Sequence, residues 1–125
     1  MTQEMKFLAL VQKGFQQDPT LVTPQQALMS ATQGGALAQG RVDCGSLKVG
    51  NRADLVVWDL QLPQLQPVHD LRNNLVYSAN GSEVVLTMID GKILYENGQY
   101  PTIDLERVFY EVERSRQRIL TELAD

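Results

Sequence analysis

Residues 45–60 read GSLKVGNRADLVVWDL, and this stretch decides how the middle of the chain folds. Gly45 and Gly50 divide its first half, and this pattern favours a tight turn in which both glycines have positive φ. Within the β-prone run 53–60, residues 55–58 are all apolar. An uninterrupted apolar run predicts a strand that is covered on both faces. The stretch therefore predicts a glycine turn that leads into a buried strand.

The two glycines also have the spacing found in a phosphate-binding loop. In such loops a Lys-Ser or Lys-Thr pair follows the second glycine, and a helix follows the loop. Here Asn51 and Arg52 follow Gly50, and the next predicted element is a strand. Nucleotide binding at this stretch is therefore less favoured than a structural turn.

Downstream of this strand, turn signals separate the remaining elements. Residues 75–78 predict a short strand. Asp90-Gly91 separates the apolar runs 83–89 and 92–96, which is a strong hairpin signal, and Asn97-Gly98 marks the next turn.

The clearest helix lies in the last segment, where Asp104 is a good N-cap. Its apolar residues recur at helical spacing and predict one stripe that packs on one side: Leu105, Val108, Phe109, Val112, Ile119, Leu120 and Leu123. Arginines at 107, 114, 116 and 118 alternate with glutamates at 106, 111, 113 and 122. This mixture predicts a solvated helix face and not a basic patch.

Two helices are predicted upstream of residue 41. In the first, Thr2 is the expected cap and Gly14 the expected stop. Its apolar residues fall on two sides, with Met5, Leu8, Ala9 and Phe15 on one and Phe7, Leu10 and Val11 on the other. The second helix begins with a capping box at 23–26, is expected to be interrupted by glycines 34–35, and is expected to end at Gly40 after a small-residue turn at 36–38.

Composition limits the class of protein. The chain has 125 residues, a net charge of −4 and 43% apolar residues, which is the size and character of a folded domain. The acidic balance argues against a nucleic-acid partner. No apolar run approaches the roughly 20 residues of a membrane helix, and the N-terminus does not resemble a secretory signal. One cysteine, Cys44, excludes an internal disulfide, so a cytoplasmic location is expected.

The candidate catalytic groups are few, because His69 is the only histidine. A triad of His69 and Asp70 with Ser78 or Ser82 is weakly supported, since adjacent residues on an extended chain point in opposite directions. Residues 80–84 also lack the glycine that a nucleophile elbow needs after its serine.

Metal and thiol chemistry are also weakly supported. The aspartates at 54, 59, 70 and 90 lack the spacing of a calcium loop. Arg41 and Lys48 lie near Cys44 in sequence and would lower its thiol pKa, but a structural role is the simpler interpretation. The sequence therefore predicts no catalytic, cofactor-binding or metal-binding residue, and it leaves the roles of His69 and Cys44 open.

Five blocks of the chain, in order, resemble the C-terminal part of the amidohydrolase superfamily: residues 5–13, 27–36, 45–59, 74–82 and 89–92. The block NLVYSA at 74–79 points to the branch that holds methylthioadenosine/S-adenosylhomocysteine deaminase, guanine deaminase and the triazine chlorohydrolases. Departures are small: Gln39-Gly40 stands in place of the usual Leu-Gly, and Asn51 stands where lysine is common.

This resemblance implies an α+β fold in three parts. Residues 1–40 would be the last helices of a (β/α)8 metal-dependent hydrolase barrel, residues 41–103 the C-terminal part of a composite β-sandwich, and residues 104–125 a C-terminal amphipathic helix. The family holds zinc or iron with histidines and an aspartate at the ends of barrel strands. The metal-bound hydroxide attacks a ring carbon and releases ammonia or chloride.

In this resemblance Met1 falls just after the metal-binding aspartate, so every metal ligand would lie outside the chain. The implied function is that of a C-terminal fragment of a metal-dependent amidohydrolase or cyclic deaminase, inactive by itself and without a cofactor of its own. Two alternatives are a subunit of a split amidohydrolase and a non-enzymatic β-sandwich interaction module. Because the first helix is apolar on two sides, its partner is expected to be the missing barrel portion or a second copy in a homo-oligomer.

Overall fold

A computed structural model describes residues 1–123 as a mixed structure of helices and one small antiparallel sheet, as the α+β prediction requires. The helices are α1 (Thr2–Gln16), α2 (Pro24–Met29), α3 (Gly35–Ala38), α4 (Leu71–Asn73) and α5 (Leu105–Leu123). The strands are β1 (Leu55–Trp58), β2 (Val84–Ile89) and β3 (Lys92–Glu96). Two π-helical segments, Ser30–Gly34 and Asn74–Ser78, continue α2 and α4, and a 3-10 turn covers Pro63–Leu65.

Helix α1 begins one residue earlier and ends three residues later than the sequence predicts. Met1 and not Thr2 is the N-cap, since the Met5 N–H donates to the Met1 carbonyl at 3.1 Å. The helix passes through Gly14 and stops at Gln17, which adopts the left-handed conformation with φ 53°. Both predicted ends are therefore wrong, because Gln17 tolerates the left-handed conformation that a glycine usually provides at a helix end.

Helix α2 begins as predicted. The Thr23 N–H donates to the Gln26 Oε1 at 2.8 Å, and the Gln26 N–H donates to the Thr23 Oγ1 at 3.3 Å, which completes the capping box. Pro24 occupies the first helical turn, where its missing N–H costs nothing.

The glycines at 34 and 35 do not interrupt this helix, contrary to the prediction. Both have helical φ values, −61° and −63°, and the chain continues through the π-helical segment into α3. A Cβ at Gly34 would lie only 3.2 Å from the Met29 carbonyl oxygen, so glycine suits the altered turn. The predicted end at Gly40 is confirmed: this residue has φ +72°, and the next N–H, of Arg41, reaches back to the Ala36 carbonyl at 2.9 Å.

Residues 75–78 are helical and not a strand. Asp70 caps this turn by accepting a hydrogen bond from the Asn73 N–H at 3.0 Å. Val76, in the π-helical segment that follows, is completely buried with Met5 of α1. A short apolar run has no periodicity that separates a strand from a buried helical turn, so the prediction failed where tertiary packing decided the outcome.

The sheet has the strand order β1-β2-β3, with both pairs antiparallel. The predicted hairpin between β2 and β3 is confirmed, with Asp90 at φ 51° and Gly91 at φ 77°. β1 is shorter than the predicted 53–60. Val56 and Val57 are 46% and 45% exposed, so neither face of this strand is fully covered within the described residues, and the expectation of a buried strand is wrong for them.

The core lies where α1, α2 and the second π-helical segment meet. Its buried side chains are Met5, Ala9, Ala27 and Val76. Lys13 and Tyr77 close one end, with the lysine Nζ donating to the tyrosine hydroxyl at 2.6 Å. The sequence placed Phe15 on the same side of α1 as Met5 and Ala9, but Phe15 is 81% exposed, because only the first half of that side is covered.

Helix α5 begins at the predicted cap, since the Asp104 Oδ1 accepts a hydrogen bond from the Arg107 N–H at 3.0 Å. Every residue of α5 is exposed, so the expected one-sided packing is not seen among residues 1–123. The last two positions of the predicted segment 104–125 lie outside the described residues. Among the described helices, none has the length and apolar character needed to span a membrane.

Candidate functional site

A polar cluster joins the glycine turn to the β2–β3 hairpin. The Arg52 Nε donates to the Asp43 Oδ2 at 2.9 Å, and its Nη1 lies 3.6 Å from the Asp90 Oδ2. The Asp54 Oδ1 accepts a hydrogen bond from the Asp90 N–H at 2.7 Å. The bond from Arg52 holds the pKa of Asp43 below its ordinary value. This network holds the loop to the sheet.

The geometry of the turn supports its structural interpretation. Gly45 and Gly50 have φ values of 77° and 92°, which confirms the predicted positive φ at both. The guanidinium of Arg52 is paired with carboxylates, and the Asn51 Nδ2 donates to the Ser46 carbonyl at 3.0 Å. The polar groups of the turn are thus used to fix its own conformation.

Cys44 lies beside this cluster and is half-buried. Its Sγ donates to the Asp43 Oδ1 at 3.4 Å. Burial raises the pKa of the Cys44 thiol, and the hydrogen bond to Asp43 raises it further. The nearby Arg41 lowers the pKa of the thiol, but burial and Asp43 raise this pKa by more. The net shift is therefore opposite to the one that an activated thiolate would need.

The residues considered from the sequence as a hydrolytic triad lie in separate environments. His69 is exposed in the loop before α4. Asp70 caps that helix, and the Asn73 N–H lowers the pKa of its carboxyl. None of the hydrogen bonds formed within residues 1–123 joins His69 to Asp70, Ser78 or Ser82. The structure therefore does not assemble a hydrolytic triad from these residues.

The described residues do not fit a catalytic metal. Within residues 1–123 no group of three or more His, Cys, Asp or Glu side chains lies together in a way that could hold a metal ion. Three of the four aspartates considered from the sequence accept hydrogen bonds from backbone N–H groups, and the fourth, Asp90, lies beside Arg52. Asp54 accepts from the Asp90 N–H, Asp59 accepts from the Gln61 N–H at 2.9 Å, and Asp70 is a helix cap.

Glu83 is a buried carboxylate that the sequence did not single out. Its side chain is 0% exposed and accepts hydrogen bonds from the Gly81 N–H at 2.8 Å, the Asn80 N–H at 3.2 Å and the Gln64 Nε2 at 3.1 Å. Burial raises the pKa of Glu83, but these hydrogen bonds outweigh it and the net pKa is lowered. The only sequence signal was its position just after the Asn80-Gly81 turn, whose amides it satisfies.

An apolar surface remains on α1 after the core has formed. We call Phe7, Leu10, Val11 and Phe15 the outer face of α1. All four are exposed, by 57%, 47%, 58% and 81% respectively. A groove of about 370 Å³ lies next to this face between α1 and α2, and is lined by Met1, Glu4, Met5, Leu8, Ala27, Ser30 and Ala31. Residues 1–123 therefore leave this apolar face uncovered.

A second apolar surface follows α5. We call it the α5 stripe, and it consists of Leu105, Val108, Phe109, Val112, Ile119, Leu120 and Leu123, all exposed. Arg116 lies within the stripe, and its guanidinium makes two hydrogen bonds to Glu113, at 2.8 and 2.7 Å. The bonds from Arg116, with another from Gln117, lower the pKa of Glu113 to about 2.

Comparisons with known proteins agree with the resemblance seen in the sequence. The profile of the amidohydrolase family matches residues 1–94. The 5-methylthioadenosine/S-adenosylhomocysteine deaminase of Moorella thermoacetica is 41% identical over 115 residues, which are 91% of this chain and 27% of that protein. The chain thus spans about a quarter of the length of the curated relatives it matches.

Solved structures give the same result. An adenosine deaminase from Xanthomonas campestris with bound zinc superposes with a TM-score of 0.92 and 33% identity, over 97% of this chain and 28% of that one. The atrazine chlorohydrolase of Arthrobacter aurescens, complexed with zinc, superposes with a TM-score of 0.81 and 26% identity, over 91% of this chain and 26% of that one. These relatives correspond to the predicted branch of deaminases and chlorohydrolases. With most of its length matched in sequence and in fold, the chain belongs to the amidohydrolase family and corresponds to a C-terminal fragment of such an enzyme.

Proposed function

We propose that this chain is the C-terminal part of a zinc-dependent cytoplasmic deaminase that acts on a purine nucleoside. The reaction is hydrolytic: water adds to the ring carbon that carries the amino group, and ammonia leaves. The observation that carries the proposal is the 41% identity to a deaminase of which the chain covers only 27%. Zinc is assigned to the whole enzyme because an adenosine deaminase with the same fold in this part binds it.

The role of the chain itself is structural in this proposal. The described residues hold no cluster of metal ligands, so the zinc ligands and the catalytic groups come from the remainder of the enzyme. By itself the chain is inactive. What it contributes is the last helices of the barrel, through α1 and α2, and the C-terminal share of a composite β-sandwich, through β1, β2 and β3.

The outer face of α1 is the surface that meets the barrel. One side of α1 is already covered, since Met5 and Ala9 are buried against α2 and the second π-helical segment. The other side is apolar and exposed, which is the pattern of a helix placed between two layers. The half-exposed Val56 and Val57 give β1 a similar uncovered surface for the rest of a sandwich.

A chimera tests this proposal directly. The segment of the Moorella thermoacetica deaminase that matches this chain is replaced by residues 1–125. We expect the chimera to bind zinc and to release ammonia from 5-methylthioadenosine, while the isolated chain does neither. Stoichiometric zinc with turnover by the isolated chain would contradict the proposal. So would a folded, zinc-loaded chimera that deaminates neither 5-methylthioadenosine, S-adenosylhomocysteine nor adenosine.

Val11→Asp tests the contact with the barrel without changing the stability of the isolated chain. Val11 is exposed in this structure, so the substitution leaves unfolding of the isolated chain nearly unchanged. In the chimera it buries an unpaired carboxylate against the barrel, and we expect a loss of about 3 kcal/mol of stability, read as a lower Tm and lower zinc retention.

Gln12→Asp is the matched control, because it adds the same charge one residue further along α1, at another exposed position. It is expected to leave the chimera near its unmodified stability. Equal effects of the two substitutions in the chimera would place the barrel contact elsewhere than on the outer face of α1.

A split enzyme, in which the chain joins the barrel as a separate polypeptide, uses the same surface. The exposed outer face of α1 makes a split enzyme the second candidate, because an apolar surface can pack against a barrel in the same polypeptide or in a separate one. Coexpression of this chain with the remaining segment of the Moorella thermoacetica deaminase tests it. Activity that appears only when both are present supports a split enzyme, whereas activity only of the covalent chimera excludes assembly between these two polypeptides.

A further inference from the structure

The α5 stripe has the spacing of a coiled-coil seam. Two series of residues seven apart make up its centre: Leu105, Val112 and Ile119 in one, and Phe109, Arg116 and Leu123 in the other. The two series alternate at intervals of four and three residues, which is the heptad pattern of helices that pack against each other along their length. The 19 residues of α5 extend for about 28 Å at 1.5 Å per residue.

This seam lacks a partner among residues 1–123. Phe109 is 67% exposed and Val112 is 62% exposed, and no residue of α5 is buried. Helices gain most of their stability from the packing of an apolar face. A helix this regular, with its apolar face in solvent, therefore needs a partner along most of its length.

Arg116 distinguishes between the possible orientations of a second copy. In a parallel, in-register pair, Arg116 would face Arg116 of the other copy across an otherwise apolar seam, which is unfavourable. Reversal of the second copy about the midpoint of α5, at Arg114, gives a different match. Leu105 then lies opposite Leu123, Phe109 opposite Ile119, and Arg116 opposite Val112.

Charge also favours the reversed arrangement. Glu113 follows Val112 directly, so Arg116 of each copy comes close to Glu113 of the other, and the centre of the seam holds two arginines and two glutamates with no net charge. The first half of α5 carries more acidic residues and the second half more basic ones, with Arg114, Arg116 and Arg118 in succession at alternate positions. An antiparallel pair places each half beside its opposite.

We propose that α5 is a self-association site, through which two copies of this chain pair their α5 helices in antiparallel orientation. The contact is symmetric, as a closed dimer requires, because each position of the stripe meets its counterpart under reversal. The outer face of α1 stays free in this dimer and keeps its proposed role toward the barrel.

The oligomeric state of the full chain is the first test. We expect a dimer by sedimentation equilibrium, and Phe109→Glu should raise its dissociation constant at least about tenfold, since it places a charge opposite the apolar Ile119 of the other copy. Thr121→Glu is the matched control, because position 121 lies on the opposite side of α5, and it should leave the dissociation constant unchanged. Circular dichroism of both variants checks that α5 remains helical.

Cross-linking tests the orientation, in a Cys44→Ser background that removes the native thiol. Leu105→Cys and Leu123→Cys are prepared as separate proteins. We expect disulfide-linked dimers when the two are mixed and oxidised, and not from either alone. Cross-linking of each variant with itself, and no disulfide between the two different variants in the mixture, would establish a parallel pair and overturn the proposal.

Two other results would also overturn it. A chain that stays monomeric up to high concentration has its α5 stripe covered by something other than a second copy, such as the barrel portion. A dimer that is lost on Val11→Asp but kept on Phe109→Glu assembles through the outer face of α1. Both outcomes are read in the same sedimentation experiment.

Discussion

Gly45→Ala is expected to lower the free energy of unfolding by about 3 kcal/mol, which combines the cost of positive φ in a non-glycine residue with that of an overpacked contact. Gly45 has φ +77° and lies against the first π-helical segment. A Cβ there would be 2.8 Å from the Gln33 Cα and 2.9 Å from the Thr32 carbonyl carbon. Both neighbours are backbone atoms, so neither can move aside as a flexible side chain would.

Gly50→Ala is the matched control. Gly50 also has positive φ, +92°, but nothing lies within 4 Å of the position of its added Cβ. Gly50→Ala should lower the free energy of unfolding only by the cost of positive φ in a non-glycine residue, about 1 kcal/mol. Urea unfolding followed by the fluorescence of Trp58, the only tryptophan, measures both variants. If the two substitutions cost the same, the close contact of Gly45 with the π-helical segment contributes nothing.

Glu83→Ala is expected to have an effect of similar size, a loss of about 3 kcal/mol. The substitution removes the acceptor for the Asn80 and Gly81 N–H groups and leaves a cavity where a completely buried side chain stood. Glu83→Gln keeps one acceptor oxygen and the volume of the side chain, so its loss of unfolding free energy should be smaller than that of Glu83→Ala. Glu96→Ala, at an exposed position of β3, is the control and should stay within about 0.5 kcal/mol of the unmodified chain.

The same residue predicts how stability depends on pH. The pKa of Glu83 in the folded chain lies below its ordinary value of 4.5. The unfolded chain therefore takes up this proton first, and the contribution of Glu83 is present above pH 4.5 and declines as the pH falls through the folded pKa. Glu83→Gln should flatten this part of the acid profile relative to the unmodified chain. An unchanged profile would mean that other carboxylates account for it.

Local signals in the sequence predicted the elements that depend on local chemistry. The capping box at Thr23, the cap at Asp104 and the Asp90-Gly91 hairpin are confirmed, because each depends on residues within a few positions of one another. The family and its branch were identified from blocks of sequence, and the comparisons agree.

The predictions that failed depended on contacts between distant segments. Residues 75–78 are helical because Val76 packs against α1, and neither segment indicates this alone. The same holds for the candidate surfaces and buried groups. The sequence showed that α1 is apolar on two sides, but not which side the chain covers for itself. The position of Glu83 after the Asn80-Gly81 turn did not by itself indicate that the carboxylate would be buried.

The contact between Lys13 and Tyr77 has a consequence for how the chain is made. These residues are 64 positions apart, and Val76, which covers the inner side of α1, is the neighbour of Tyr77. At about 5–20 residues per second, a ribosome needs roughly 3 to 13 seconds to extend the chain over that distance. Through that interval the inner side of α1 lacks the cover that Val76 provides. Slower translation should therefore lengthen the period in which the nascent chain is prone to aggregate.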